Sequence, residues 1–283
     1  MSSQSTLSQA SSITHTRKTT TTHIRSRKGA EPIVCLTAYT ANMAEILDPH
    51  VDVLLVGDSV GTVLHGHDST IPVTLDAMIF HAQSVRRGVR KALMVVDLPF
   101  GSYEASPQQA YANAARVLKE TGADAVKLEG GATQRETIRF LVERGVPVMG
   151  HIGLRPQAVR ETGGYRIVGK TEEECDALRA DADAVTKAGA FALVLEGVVE
   201  PIARELTGRI DIPTIGIGGS PACDGQILVT EDLLGMFERT PKFVRRFANL
   251  RETIDTAISD YAKAVRGRTF PDHDETYGGG NGD

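Results

Sequence analysis

The feature that most constrains this chain is a repeated alternation of short β-branched, apolar runs with longer segments of helical period. That is the pattern of a parallel sheet whose strands are joined by crossover helices. The strand candidates are Ile33–Thr37, 53–57, Leu93–Asp97, Ala125–Glu129, 146–150, Ala192–Glu196 and Thr214–Ile217, with 226–229 a weaker eighth. Eight such units close an α/β (β/α)8 TIM barrel, although an open doubly wound sheet gives the same alternation. No Gly-x-Gly-x-x-Gly follows the first run, which argues against the dinucleotide-binding version of the open sheet. Capping chemistry falls where the alternation needs it. Ser106-Pro107-Gln108-Gln109, Thr133 with Glu136, and Thr171 with Glu174 read as capping boxes, and Gly122, Gly145 and Gly189 as left-handed helix ends.

The ends differ from the middle. Residues 1–28 are rich in Ser and Thr, lack Asp and Glu, and carry Arg17, Lys18, Arg25, Arg27 and Lys28 without an apolar face. They read as a disordered basic arm rather than an amphipathic transit peptide. Residues 271–283 read as a polar tail. The interval 29–270 has the length of one (β/α)8 barrel domain, about 250 residues. The net charge of −5 gives no reason to expect a nucleic-acid partner. No apolar run reaches the roughly 18–20 residues of a membrane span. The three cysteines, Cys35, Cys175 and Cys223, are odd in number and far apart, so they give neither a disulfide framework nor a thiolate zinc site and fit a reducing, cytoplasmic location.

Several apolar runs end in a polar residue: Gly57-Asp58-Ser59, Val96-Asp97, Lys127-Leu128-Glu129, Gly150-His151 and Leu195-Glu196. In a parallel barrel all these ends open on one face, where residues distant in sequence converge. Any one of them could instead cap the next helix or meet solvent; five together point to a site. Asp58, Asp97 and Glu129 are hard oxygen donors, suited to Mg2+ or Mn2+ rather than zinc. An octahedral ion held by them keeps positions open for adjacent oxygens such as those of a 2-oxo acid. Lys127 and Glu129 lie two apart and face the same way. Glu196 ends a nearly all-apolar strand, where desolvation is expected to raise its pKa and make it a general base. His151 is a candidate for orienting a water or a carboxylate. His65 and His67 flank a glycine in a loop and read as structural. Residues 163–169 read as a flap over the site, and Gly216-Ile217-Gly218-Gly219-Ser220 as a glycine turn or a phosphate loop.

With these residues in view, the sequence closely resembles the ketopantoate hydroxymethyltransferases, also called 3-methyl-2-oxobutanoate hydroxymethyltransferases. The likeness runs over about residues 33–247. It rests on Val56-Gly57-Asp58-Ser59, Gly66-His67-Asp68-Ser69-Thr70, Asp97-Leu98-Pro99-Phe100, Lys127-Leu128-Glu129-Gly130-Gly131, Gly150-His151-Ile152-Gly153-Leu154, Gly163-Gly164-Tyr165, Val194-Leu195-Glu196 and Asp224-Gly225-Gln226-Ile227-Leu228-Val229. The resemblance implies a barrel of the phosphoenolpyruvate/pyruvate type, one Mg2+ per subunit and a homodecamer. It also implies transfer of a one-carbon unit from 5,10-methylenetetrahydrofolate to 3-methyl-2-oxobutanoate through a Mg2+-stabilised enolate, giving 2-dehydropantoate for pantothenate and coenzyme A synthesis. By motif position, Asp58, Asp97 and Glu129 are the implied Mg2+ ligands. Ser59, Asp97 and Lys127 are the implied oxo-acid contacts, and Glu196 the proton acceptor. The family's Gly-Ile-Gly-Ala-Gly is Gly-Ile-Gly-Gly-Ser here, a departure that leaves the shape of this loop open. The alternative is another Mg2+-dependent 2-oxo-acid lyase or mutase of the same barrel type. Those enzymes use a loop cysteine near the site, a context that Cys35, Cys175 and Cys223 lack in the sequence.

Overall fold

The apolar runs are apolar because they are covered on two sides. In a computed structural model that describes residues 18–277, they form β1 (Ile33–Thr37), β2 (Val53–Val56), β3 (Leu93–Asp97), β4 (Ala125–Glu129), β5 (Val148–Gly153), β6 (Ala192–Glu196), β7 (Thr214–Ile217) and β8 (Gly225–Leu228). All neighbours pair in parallel and β8 closes on β1, so the closed barrel is the observed sheet and the open alternative is excluded. Alternate residues divide between two cores. Ile33, Cys35, Val53, Leu55, Leu93, Val95, Met149 and Val194 fill the barrel interior. Leu54, Val56, Met94, Val96, Leu128 and Leu193 pack outward beneath the helices.

In chain order the helices are α1 (Thr21–Ser26), α2 (Ala41–Leu47), α3 (Val60–Val63), α4 (Leu75–Gly88), α5 (Pro107–Thr121), α6 (Arg135–Val142), α7 (Val159–Thr162), α8 (Glu172–Lys187), α9 (Glu200–Arg209), α10 (Thr230–Leu233) and α11 (Leu250–Arg266). Ser106 accepts from the Gln109 amide with Pro107 in the first turn, Thr171 accepts from the Glu174 amide, and α5 ends on left-handed Gly122 (φ 69°). The expected box at Thr133 does not form. A 3-10 turn over Ala132–Gln134 comes first, because Gly131 lies so close to Asp181 that a Cβ would sit 2.0 Å from its carboxyl carbon, and Asp181 caps the Ala132 amide at 2.8 Å. β5 begins two residues later than expected and runs on to Gly153. Pro147 has no N–H to donate, while His151 and Ile152 continue the pairing with β6.

The expectation of a disordered arm over 1–28 is corrected for its last part; residues 1–17 lie outside the described residues. From Lys18 onward the chain crosses the N-terminal mouth of the barrel. Thr20 caps α1 by accepting from the His23 amide, and Ile24 is fully buried in the barrel's interior core. Lys18 pairs with Asp124, Arg27 with Asp52 at 3.3 Å, and Lys28 with Asp224 at 2.9 Å. Each of those aspartates also accepts a backbone amide at the start of a strand: Met94 on Asp124, Val34 on Asp52 and Thr214 on Asp224. One apolar plug and three ion pairs replace the missing apolar face. The packed body therefore starts before residue 29. At the other end α11, inside the expected 29–270 domain, has no buried residue. Among the described residues, no helix is long and apolar enough to cross a membrane.

Candidate active site

Strand alternation builds the site. On β3 the inward residues are Leu93, Val95 and then Asp97; on β4 Ala125, then Lys127 and Glu129; on β5 Met149 and then His151; on β6 Ala192, Val194 and then Glu196. Each series is apolar at the N-terminal end and charged at the C-terminal end, so the charges gather at one mouth. The sheet register sets Asp97 beside Lys127 and Glu129 beside His151. Asp58 and Ser59 follow β2 directly, and Asp58 joins the cluster because its backbone amide donates to Asp97 Oδ2 at 3.0 Å. All the expected site residues except Ser59 and Glu196 are buried.

The contacts are specific. Lys127 Nζ donates to Asp97 Oδ1 at 2.5 Å in a fully enclosed ion pair. His151 lies between two carboxylates, with Nδ1 3.5 Å from Glu129 and Nε2 3.3 Å from Glu196, in neither case with hydrogen-bond geometry. Ser59 Oγ meets the Tyr39 hydroxyl at 2.8 Å. The expectation that Glu196 is desolvated by its apolar strand is corrected in one respect: its side chain is 18% exposed and sits at the rim. The strand is enclosed, but its last residue opens to the mouth.

Four carboxylates face one lysine and one histidine here. Burial, and then repulsion from Asp97 and Glu129, push Asp58 up to about 7. His151 is pushed up to about 9, because Glu129 and Glu196 outweigh burial and the Lys127 charge. For Lys127 burial works against the charge, but Asp97, Glu129 and Asp58 reverse that and hold it protonated. Glu129 is held low despite burial by His151, Lys127 and the Gln157 amide. A buried site so short of positive charge suits a divalent cation, and its hard oxygen donors suit Mg2+. Among the described residues no three His, Cys, Asp or Glu side chains converge at ligand spacing. Asp97 is turned to Lys127, and Asp58 and Glu129 to Gln157.

The sequence model of ketopantoate hydroxymethyltransferases matches residues 18–273. The chain belongs to the ketopantoate hydroxymethyltransferase family. It is 58% identical over 269 residues to the 3-methyl-2-oxobutanoate hydroxymethyltransferase of Maricaulis maris, covering 95% of this chain and 96% of that one. It is 60% identical over 254 residues to that of Phenylobacterium zucineum, covering 90% and 92%. In fold it is similar to a crystal structure of 2,3-dimethylmalate lyase, a member of the PEP mutase/isocitrate lyase superfamily (TM-score 0.57, 18% identity, 92% of this chain and 89% of that one). The family match includes residues 18–32, which the motif blocks had left out and which the structure shows closing the barrel floor.

Within this hydroxymethyltransferase fold, three polar residues of the site escaped sequence reasoning because they lie off the strands. Gln157, 5% exposed in the turn after β5, donates Nε2 to Asp58 Oδ2 at 2.8 Å and to the Leu98 carbonyl at 3.0 Å, while its backbone amide donates to Glu129 Oε2 at 3.1 Å. Tyr103 donates its hydroxyl to Gln157 Oε1 at 2.6 Å, fixing the amide's orientation. Tyr39 holds Ser59. No spacing pattern marks these residues; only the turns that follow their strands bring them in. The remaining candidates are held by contacts of their own. His65 and His81 meet at 3.0 Å through their Nε2 atoms. The glycine turn at Gly218 (φ 66°) packs on Phe243. Residues 163–169 are tied down at Val168, whose amide donates to the Gly197 carbonyl at 2.9 Å, and Tyr165 is left half-exposed. Cys35 is buried in the barrel interior, which pushes its thiol far up; Cys223 is buried, and Cys175 faces the Gly169 carbonyl.

Proposed function

We propose that this protein is a 3-methyl-2-oxobutanoate hydroxymethyltransferase. It joins a one-carbon unit from 5,10-methylenetetrahydrofolate to C3 of 3-methyl-2-oxobutanoate, giving 2-dehydropantoate for pantothenate and coenzyme A synthesis. The observation that carries this reading is the mouth itself: three hard carboxylates and an enclosed lysine on one side, and a separate rim carboxylate, Glu196, across His151.

Asp58, Asp97 and Glu129 would hold one Mg2+ per subunit. Such an ion would draw charge from the substrate's 2-oxo oxygen and so make the C3 hydrogen more acidic. Lys127 supplies a fixed positive charge for the substrate's carboxylate, and Ser59, held by Tyr39, offers it a hydroxyl. Glu196 accepts the C3 proton. Beside it, His151 Nε2 places a positive charge where the carboxylate works and limits its motion. The carbon left with the electron pair forms a bond to the folate methylene as one of the methylene's two bonds to nitrogen breaks with its pair returning to that nitrogen. The second carbon–nitrogen bond breaks in the same way as water supplies the hydroxyl, and the two nitrogens take up the C3 proton and the remaining proton of water.

The same proposal includes a cytoplasmic location and a homodecamer. Supporting assembly, α11 sets Ile254, Ile258, Tyr261 and Val265 on one face at helical spacing, all 38% exposed or more. The test is incubation of 3-methyl-2-oxobutanoate with isotope-labelled methylenetetrahydrofolate and Mg2+. Labelled 2-dehydropantoate is expected. Turnover of the oxo acid without folate would point to the lyase or mutase alternative.

A further inference from the structure

Resting on that reading of the mouth, we propose that a cavity of about 360 Å3 beside it, whose lining includes Ile71, Phe100, Glu129, Arg155, Gln157 and Arg160, seats the folate co-substrate. Its planar ring system lies against Phe100, and its carboxylate-bearing tail runs out to Arg155 and Arg160.

Carbon–carbon bond formation between two bound molecules requires the reacting carbons about 3–3.5 Å apart, so the second ligand's site must share a wall with the first. This cavity meets that condition through Glu129. None of Ser59, Asp97 and Lys127 lines it, so it is not the oxo-acid site under another name. The shared wall is rigid: Gln157 is bonded at once to Asp58, the Leu98 carbonyl, Glu129 and Tyr103. The volume is within the usual range for small-ligand sites, about 300–1,000 Å3.

Its lining changes character from inside to outside. The inner end is formed by buried Glu129 and Gln157, and the flank by Ile71 and Phe100. Phe100, three residues beyond Asp97, is 49% exposed despite its size, an open aromatic face next to a charged site. The cavity's other charged lining residues are Arg155 and Arg160 with Glu104 and Glu161, and Glu104 is taken up by the Gly101 and Tyr103 amides. Arg155 reaches Glu161 only at 3.7 Å, and exposed Arg160 has no ion-pair or hydrogen-bond partner among the described residues. A planar heteroaromatic with hydrogen-bonding edges and a remote dicarboxylate matches that order. The smaller cavity, about 240 Å3 along 153–174, borders neither an aromatic ring nor a site carboxylate.

Three readouts on the intact protein test the assignment: KM for methylenetetrahydrofolate, KM for the oxo acid, and exchange of the oxo acid's C3 hydrogen with deuterated water, which needs no folate. F100A is expected to raise the folate KM at least tenfold and R160E several-fold, with R160K close to wild type. The oxo-acid KM and the exchange rate stay within twofold in all three. A folate KM within twofold of wild type in both F100A and R160E would overturn the assignment, and so would exchange that falls in step with the folate KM. No exchange by the wild-type protein would instead overturn the reading of the mouth on which the assignment rests, before any variant is compared.

Discussion

At the scale of single residues, the account depends on Asp97, which faces Lys127 and carries the amide of Asp58. Asp97→Ala removes a metal donor and strands a buried lysine, the costly way to break an enclosed pair, about 3–5 kcal/mol. Asp97→Asn keeps the shape and the amide contact. Both variants are expected to lose turnover and Mg2+-supported binding of the oxo acid, measured by calorimetry, while thermal melting shows the larger stability loss for Asp97→Ala. Wild-type activity in either variant would remove Asp97 from the site. The strand-end residues were legible because period-two alternation and a common strand direction leave their side chains few places to go. Gln157 and Tyr103 were not, since a buried glutamine in a turn looks like any solvated one until its four hydrogen-bond partners are seen.

At the scale of elements, β1 to β8 were legible because coverage on both sides writes itself as apolar runs, and Pro147 explains the two-residue delay in the start of β5. The floor of the barrel was not legible. A six-residue helix with a single large apolar residue, Ile24, has no periodicity to detect, and its ion pairs join residues more than a hundred apart in two of three cases. Ile24→Ala should cost about 2–5 kcal/mol, read as a lower Tm with little change in the folate-independent exchange, since the plug is at the opposite mouth. Asp224 ties Lys28 and Gly29 to Thr214 on β7. Burial pushes its carboxyl up, but the Thr214 and Gly29 amides and Lys28 prevail and hold it below the ordinary range. With the folded value below an unfolded value of about 3.9, its contribution is complete above that pH and fades as pH falls through the folded value. Asp224→Asn should therefore destabilise the protein at pH 7 by denaturant titration, and the difference from wild type should shrink toward pH 3. An undiminished difference there would contradict the linkage.

At the scale of the whole molecule, a (β/α)8 barrel needs a helical layer around its whole circumference, and this chain sends its last long helix, α11, out with no buried residue. Ile258→Glu places a charge on its apolar stripe. It should shift the protein to smaller species in sedimentation velocity while isolated subunits retain the barrel's circular dichroism; an unchanged sedimentation coefficient would mean that the stripe is not an assembly face. The central claim concerns the barrel mouth, where charges from β2 to β6 act on one substrate. Its most direct measurement is proton NMR of 3-methyl-2-oxobutanoate in deuterated water with the protein before any folate is added. The account predicts loss of the C3–H signal that requires Mg2+, stops with a chelator, and is absent in Glu196→Gln although that variant still binds the oxo acid. A C3–H signal that persists with wild-type protein and Mg2+, or that disappears equally fast with Glu196→Gln, would contradict it.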